Sequence, residues 1–400
     1  MKKTVLFLGA SHQQLAPIEY AKNVGYRIVT CDNRPNNPGH SLADKSYNVS
    51  TTDFQGVLDV AINEKIDAVV CYASDVATPT AAYISEKLGI PGNPLEAVCV
   101  LTNKMLFRQF QEKYGYFTPK NILFDRNDLI NKKTLQGKMD KVLKFPVIVK
   151  PVDASGCKGV TKVYSLSQLN DALKYAREFS RSGNMIVEQL IDPSGYQVCG
   201  EGFLQDGKII FHAFANEHFC PGFVVPVGES FPSIFDERLV DRAVNTLQHI
   251  FNDLNMRQGP FNFDLMFTLD GEIFVIEIGP RNGGNRIPEA IIYANKADTI
   301  AATVEVALGR RVILAKEVNH YYATYSIHAK RNGILESIEY LESIRKNIVD
   351  EKLYAARGDT VLKFKMGNQM LGCLILTFDT YTEMLSKIDS MDDHIIVNLT

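Results

Sequence analysis

The stretch Phe261-Asn262-Phe263-Asp264-Leu265-Met266-Phe267-Thr268-Leu269-Asp270-Gly271-Glu272-Ile273-Phe274-Val275-Ile276-Glu277-Ile278-Gly279-Pro280-Arg281 is the most informative in the chain. Two runs rich in alternating apolar residues flank Asp270-Gly271, a favoured two-residue hairpin turn. That turn pairs Leu269 with Glu272, Phe267 with Phe274 and Asp264 with Glu277. The two-residue side-chain period then predicts a core face of Phe263, Leu265, Phe267, Leu269, Phe274, Ile276 and Ile278. Asp264 and Glu277 fall on the other face, directly opposed. Side chains in such a pair have Cβ atoms about 4.5–5.5 Å apart, and like charges there destabilise the ladder. A cation between them converts the repulsion into a site. Carboxylate oxygens suit Mg²⁺, held together with substrate phosphates, with Mn²⁺ as the alternative ion. The loop that follows, Arg281-Asn282-Gly283-Gly284-Asn285-Arg286, is rich in anion-binding groups.

Upstream, Phe145-Pro146-Val147-Ile148-Val149-Lys150-Pro151 reads as a short buried strand ending in a lysine. An ammonium in that position needs a partner, because burying a lone charge is costly. Asp153-Ala154-Ser155-Gly156-Cys157-Lys158-Gly159-Val160 follows at once. Its two glycines free backbone N–H groups to meet phosphate oxygens, although it is not a Walker A sequence. Thr102-Asn103-Lys104 opens a helix, and Asn184 to Glu188 is another short strand ending in an acid. Tyr196–Phe203 and Lys208–Phe214 flank Asp206-Gly207, a second hairpin signal, with Gln197, Cys199 and Glu201 on one face.

The first hundred residues alternate strand and helix. Val5–Leu8, Arg27–Cys31 and Asp67–Cys71 read as strands; the stretches from Gln13 to Val24, Thr52/Asp53 to Glu64 and Pro79 to Leu88 read as helices. That alternation implies a parallel sheet covered on both faces. Such sheets bind ligands beyond the C-terminal ends of their strands. Ser11 and His12, Asp32, and Ser74-Asp75 stand there, as a substrate pocket or as ordinary loop and cap chemistry. Gly9 stands without a G-x-G-x-x-G fingerprint, which disfavours a nicotinamide cofactor.

The 400 residues carry 43 Lys plus Arg against 46 Asp plus Glu, a net charge of −3. That balance speaks against a nucleic-acid partner bound through a broad basic face. A hydrophobic content of 46% supplies real cores, so disorder is excluded as the main state. No apolar run is long enough to span a membrane. Met1-Lys2-Lys3 and its short apolar stretch read as a first strand rather than a signal peptide. Seven widely spaced cysteines with no C-x-x-C pair point to a reducing, cytoplasmic setting without a zinc knuckle.

Taken together, Lys104, the Val-Lys-Pro ending at Pro151, the Ser155–Gly159 loop, Val187-Glu188 and Asp264/Glu277 with Arg281 resemble the ATP-grasp superfamily, which includes biotin carboxylase, D-alanine–D-alanine ligase and the carboxylate–amine ligases. The resemblance implies α/β and α+β architecture in three parts. These are an N-terminal parallel-sheet domain (residues 1–101), an ATP-grasp domain of two α+β subdomains (102–318, the small one about 115–190) and a small lid-like C-terminal α+β region (319–400). It implies that Lys104 and Lys150 contact ATP phosphates, and that Ser155, Gly156, Lys158 and Gly159 form the loop over them. It implies that Glu188 receives the adenine amino group, that Leu190 offers backbone to the ring and that Gln197 reaches the ribose. Asp264 and Glu277 would hold magnesium. Arg281 and Lys158 would be catalytic, Arg281 steadying a substrate carboxylate and its acyl phosphate. Ser11, Ser74, Asp75 and Asn282 would contact substrate, with Asn282 as an alternative metal ligand. Many members have Glu-x-Asn at the metal site. Gly279 stands third here, as a small residue does in the carboxyaminoimidazole ribonucleotide synthetase branch.

The implied activity is ATP-dependent ligation of a small carboxylic acid to an amine through an acyl phosphate, with release of ADP and phosphate. A homodimer is compatible with it. The rivals are a carboxylase-type or purine-pathway enzyme using carboxyphosphate, a nicotinamide oxidoreductase, and a nucleotide-binding module without turnover. Specificity is expected in the N-terminal strand-end loops and in the poorly patterned Phe211–Pro232. Gly358–Lys365 and Leu371–Phe378 read as strands around Gly367-Asn368, Thr382–Ile388 as a helix and Ile395–Leu399 as a last strand. His218 reads as a structural histidine more readily than a site residue.

Overall fold

A computed structural model describes residues 2–127, 137, 139, 142–220, 224–315, 317 and 321–400. Strands β1 (Thr4–Leu8), β2 (Arg27–Cys31), β3 (Lys45–Tyr47) and β4 (Ala68–Cys71) form a parallel sheet in the order β3-β2-β1-β4. Both faces are buried, as in parallel sheets generally. Leu6, Leu8 and Val29 pack on one side; Val5, Phe7 and Ile28 pack on the other. Helices Leu15–Asn23 and Phe54–Glu64 lie between the strands in sequence, and Thr78–Leu88 follows β4. Asp53 caps the second of them by accepting from Gly56 N at 3.0 Å, which is the chemistry its position suggests. The edge strand β3 is short and mostly exposed, so it leaves no apolar pattern to read.

A second sheet contains β5 (Asn121–Phe124), β6 (Val147–Pro151), β7 (Thr161–Val163) and β8 (Met185–Gln189), antiparallel in the order β5-β8-β6-β7. The apolar stripe of helix Leu166–Phe179 (Leu169, Ala172, Leu173, Ala176) packs on it.

The largest sheet has eight strands. It takes β9 (Gln197–Gln205), β10 (Lys208–Phe219), β11 (Pro226–Phe231), β12 (Gly259–Phe267), β13 (Ile273–Gly279), β14 (Tyr321–Ile327), β16 (Ile348–Leu353) and β18 (Gly372–Phe378), in the order β13-β12-β9-β10-β11-β14-β18-β16. A further sheet pairs β15 (Gly333–Tyr340) with β17 (Thr360–Val361) and β19 (Ile395–Leu399). Helix Glu237–Asp253 covers one face of the large sheet. Helices Ile287–Asn295 and Thr299–Ala307 lie on the other.

Two expectations need correction. Of Gly358–Lys365, expected as a strand, only Thr360–Val361 is one. Residues 360–361 form a two-residue strand on β15, while β18 pairs with β14 and β16. Cys373 to Leu376 are all fully buried, as befits a central strand with a neighbour on either side. The second correction concerns the β12–β13 hairpin. Leu265 pairs with Val275 and Phe267 with Ile273, one step out of the register that a two-residue turn gives. The loop is effectively longer: Gly271 N donates to Thr268 O at 3.0 Å, and Thr268 N donates to Glu272 O at 2.9 Å. A bulge at Ile276 then restores the register, so Asp264 does face Glu277. The core face becomes Phe263, Leu265, Phe267, Val275 and Ile278. Leu269, expected inside, is 75% exposed in the loop. Phe274 turns to the acid face, where the Arg108 guanidinium lies 4.8 Å from its ring.

Candidate active site

Asp264 and Glu277 are registered partners on one face of the large sheet. Lys104, first residue of the helix Lys104–Tyr114, reaches Glu277 Oε2 at 3.0 Å and donates to Ala154 O at 3.1 Å. Its own backbone N–H donates to Val152 O. The start of this helix therefore ties β13 to the segment that leads into the glycine loop. Against the cost of burial, Lys104 holds the Glu277 carboxyl down to about 2. Burial, and then the facing Glu277, push Asp264 well above the usual carboxylate range. Among the described residues, the Asp264 carboxylate makes no hydrogen bond or ion pair. An acid in that state, opposite a second acid, is a fit to a hard divalent cation.

The same sheet face carries more acids than sequence reasoning assigned roles to. Glu217 of β10 lies opposite Gln197 on one side and Glu229 on the other. Burial and then Asp264 push Glu217 well up, and Gln197 Nε2 donates to it. Burial raises Glu229 and Glu201 each to about 7. The signal for Glu217 was available: once β10 is extended beyond Phe214, it falls on the site face at the two-residue period. His218 falls on the opposite face. Its Nδ1 meets Asp389 Oδ1 at 2.7 Å and its Nε2 meets Ser230 Oγ at 2.8 Å, a structural setting.

On the small sheet, Glu188 is buried with both oxygens engaged. Arg108 Nε is 2.6 Å from Oε1 and Lys150 Nζ 2.8 Å from Oε2. Despite burial, the two cations hold Glu188 down to about 2. Arg108 also donates to Ile276 O at 2.9 Å, so one guanidinium joins β8 to the bulge of β13. Arg108 was not singled out in the sequence. Its place four residues after Lys104 puts both on one helix face, which was the available signal. Leu190 follows β8, with its N–H directed to Pro146 O.

The glycine loop lies at the end of β6. Gly156 and Cys157 take successive left-handed conformations, at φ 64° and 58°. A Cβ at Gly156 would meet nothing, whereas one at Gly159 would press on the helix Leu166–Phe179 at Ala176 and Phe179. Cys157 Sγ donates to Val224 O at 3.1 Å. Ser155 and Lys158 are half-buried, and Lys158 makes no ion pair among the described residues.

Arg281 meets Asp75 in a two-point pair, Nε–Oδ1 2.8 Å and Nη2–Oδ2 2.6 Å, and its Nη1 donates to Asn262 Oδ1 at 3.1 Å. Two residues expected to meet substrate thus meet each other. Asn282 is fully buried: its Nδ2 donates to Glu201 Oε1 at 2.8 Å and its Oδ1 accepts from Thr303 Oγ1 at 2.9 Å. Both ends of its amide are used inside the protein, where they fix the loop. The Ser11 hydroxyl is likewise spent on Gln14 Oε1. Asp32 accepts from Ala10 N, Arg34 N and Asn37 Nδ2, which makes it a loop organiser. Ser74 precedes the short turn Asp75–Ala77 without capping it through its side chain.

Opposed acids on a large antiparallel sheet, a second antiparallel sheet ending in a lysine and a glycine loop, and a helix bridging both are the arrangement of the ATP-grasp class. Residues 143–289 match the ATP-grasp domain, and the chain carries one. An uncharacterised protein of Sinorhizobium fredii is 25% identical over 307 residues, covering 74% of this chain and 61% of that protein. The formate-dependent phosphoribosylglycinamide formyltransferase of Thioalkalivibrio sulfidiphilus is 27% identical over 192 residues, 47% of this chain and 47% of the relative. The chain thus matches about half the length of these curated relatives. The crystal structure of an L-amino acid ligase from Bacillus licheniformis superposes with a TM-score of 0.81 at 19% identity, covering 100% of this chain and 99% of that one. That likeness extends the shared fold over the whole chain. No helix among the described residues is long and apolar enough to cross a membrane.

Proposed function

We propose that this protein is an ATP-dependent carboxylate–amine ligase acting on small molecules in the cytoplasm, with Mg²⁺ at Asp264 and Glu277. The observation that carries the reading is the opposed Asp264/Glu277 pair, with Lys104 on one acid and no protein partner on the other among the described residues. Lys104, Lys150 and the Ser155–Gly159 backbone would take the phosphates of ATP, with Lys158 at the transferring group. Glu188 and Leu190 would take the adenine edge, and Gln197 the ribose. Because Lys150 is bound to Glu188, adenine and phosphate recognition are linked through one buried ion pair. Mg²⁺, when bound, neutralises charge on the transferring phosphates. Arg281, freed from or shared with Asp75, would steady the acid and its acyl phosphate until the amine displaces phosphate. The protein's share of the catalysis is positioning and preorganised charge. The L-amino acid ligase that shares the fold supports this reading. A homodimer belongs to the same proposal.

The test is ADP release that requires both a carboxylic acid and an amine. With ATP and the acid alone, hydroxylamine should trap a hydroxamate. Release of AMP and pyrophosphate would mean adenylation and would refute the mechanism.

A further inference from the structure

Strands β10 and β14 flank β11 in the large sheet, and each is antiparallel to it. They therefore run parallel to one another and end on the same edge. Cys220 directly follows β10, and His328 directly follows β14. Asp392, in the short turn Met391–Asp393 ahead of β19, comes up to that edge. A thiol sulfur, an imidazole nitrogen and a carboxylate oxygen from these three segments lie within 4.8 Å of one another.

The histidine ring is set as a metal ligand is. Its Nδ1 lies 2.9 Å from Ser326 O. A carbonyl can only accept, so Nδ1 carries the proton and Nε2 presents a lone pair. Metal-ligating histidines almost always donate their other ring N–H in this way, which fixes tautomer and orientation. The side chain is only 3% exposed, and the Phe364 ring packs against it at 4.9 Å between centroids. Nε2 is nevertheless without a hydrogen-bond partner among the described residues. Asp392 Oδ1 lies 3.7 Å from it, too far for a hydrogen bond. Buried polar atoms are normally satisfied, and an exception asks for an explanation.

A small ion explains it, and it needs no preformed cavity, because it sits in bonding contact with its ligands. Bonds to Zn²⁺ of about 2.0–2.3 Å set neighbouring ligand atoms roughly 3.3–3.8 Å apart in a tetrahedron. The Nε2–Oδ1 distance already falls there, and Asp392, 38% exposed, is free to close on the thiol from the solvent side. Two groups now lean on that carboxylate. The Tyr325 hydroxyl donates to Oδ1 at 3.3 Å, and Lys330 Nζ lies 3.1 Å from Oδ2. Lys330 is 66% exposed, and an exposed pair of that kind is weak.

We propose that Cys220, His328 and Asp392 form a binding site for one Zn²⁺-class ion, with water as the fourth ligand. Thiolate and imidazole select such an ion over Mg²⁺. Binding puts a thiolate on the ion and releases the Cys220 proton to solvent. No C-x-x-C spacing announces the site, since its ligands come from separate strand ends. The ion would staple the end of β10 to the C-terminal region, and it shares no residue with the proposed ATP site.

Co²⁺ in place of Zn²⁺ reports on the ligands directly, because a thiolate ligand adds a charge-transfer band in the near ultraviolet and carboxylates do not. The full chain is stripped with chelator and titrated with Co²⁺, with excess Mg²⁺ present to hold Co²⁺ off Asp264 and Glu277. One equivalent should bring up that band together with visible bands of tetrahedral strength, and one equivalent of Zn²⁺ should bleach both. Cys220→Ser should remove the charge-transfer band, and Cys99→Ser should leave it. His328→Gln and Asp392→Asn should each weaken Co²⁺ binding by at least about tenfold, the cost of losing even an outer partner of a metal site. Asp392→Asn changes a partly exposed side chain and carries the test if the variants at Cys220 or His328 fail to fold. A charge-transfer band that is absent, that survives Cys220→Ser, or that titrates unchanged in Asp392→Asn overturns the site.

Discussion

The small antiparallel sheet and the eight-stranded sheet both bury carboxylates, and they treat them differently. Glu188 on β8 lies between two cations, Arg108 and Lys150, and is held down to about 2. On the large sheet, Asp264, Glu217, Glu229 and Glu201 are all pushed up by burial, and only Glu277 has a lysine. The buried acid of the small sheet is fully paired once the helix carrying Arg108 packs on it. The large sheet holds negative charge that is stable chiefly when protonated or when a cation arrives. The proposed metal and polyphosphate site would need both conditions: fixed cations on one wall and uncompensated acids on the other.

The largest effect should come from the opposed acids Asp264 and Glu277. Asp264→Asn or Glu277→Gln should cut turnover by orders of magnitude if these two carboxylates hold Mg²⁺, which would supply charge neutralisation for the transferring phosphates. Circular dichroism should show a folded protein, with Asp264→Asn slightly more stable than wild type in the absence of metal. Near-normal magnesium-dependent ADP release in both mutants would erase the contrast between the sheets.

Next comes stability. Glu188→Gln strands Arg108 and Lys150 in the interior and should destabilise the protein by about 3–5 kcal/mol, the usual cost of breaking a buried pair. Glu217→Gln removes an unwanted buried charge and should be neutral or stabilising. Thermal melts of the two single mutants compare the sheets directly, and equal losses would break the comparison.

The pH dependence should separate them again. Glu188 is lowered in the folded state, so its contribution is present above the ordinary glutamate value of about 4.3 and is lost as pH falls through about 2. Glu201 and Glu229 are raised to about 7, so their contribution is present below about 4.3 and is lost as pH rises through about 7. A tenfold change in proton affinity between the folded and unfolded chain is worth roughly 1.4 kcal/mol. Metal-free protein should therefore lose Tm between about pH 5 and 7.5, and Glu201→Gln or Glu229→Gln should flatten that limb without changing the acid limb. A limb of undiminished slope in both mutants would show that other groups set it.

The smallest effects lie at the parallel sheet. Ser74→Ala or Asp75→Ala should raise the KM for acid or amine and leave that for ATP nearly unchanged. Asp75→Ala should have the larger effect, because it removes the two-point partner of Arg281. A change confined to the KM for ATP would move these residues out of the substrate pocket.

The legible parts of the sequence were those in which local pattern and burial agree. The strands β1, β2 and β4 are apolar on both faces, and Asp53 marks the start of its helix in the expected geometry. The Asp264/Glu277 pairing was read correctly although two features behind it were not legible. A longer loop slips the register one way and a bulge at Ile276 slips it back, and neither leaves a mark in the hydrophobic pattern. The partners of Arg108, Asn282, Asp75 and Arg281 were beyond reach for another reason. Whether a polar side chain faces a ligand or another side chain depends on partners up to 206 residues away. Of the C-terminal strands, Leu371–Phe378 was legible as β18, but its place in the middle of a sheet assembled from distant segments was not.

The continuity of the eight-stranded sheet has a consequence during synthesis. Arg286 leaves the ribosome 64 residues ahead of Asp350, the carboxylate that closes on its Nη2. Until β16 and β18 emerge, β14 has an open edge and the guanidinium has no counter-charge within the sheet. The acid pair on β12 and β13, by contrast, is complete as soon as Gly279 is out. A nascent chain can therefore pair Asp264 with Glu277 well before Arg286 meets Asp350, and a chain interrupted between the two carries an exposed strand edge prone to pairing with its neighbours on the polysome.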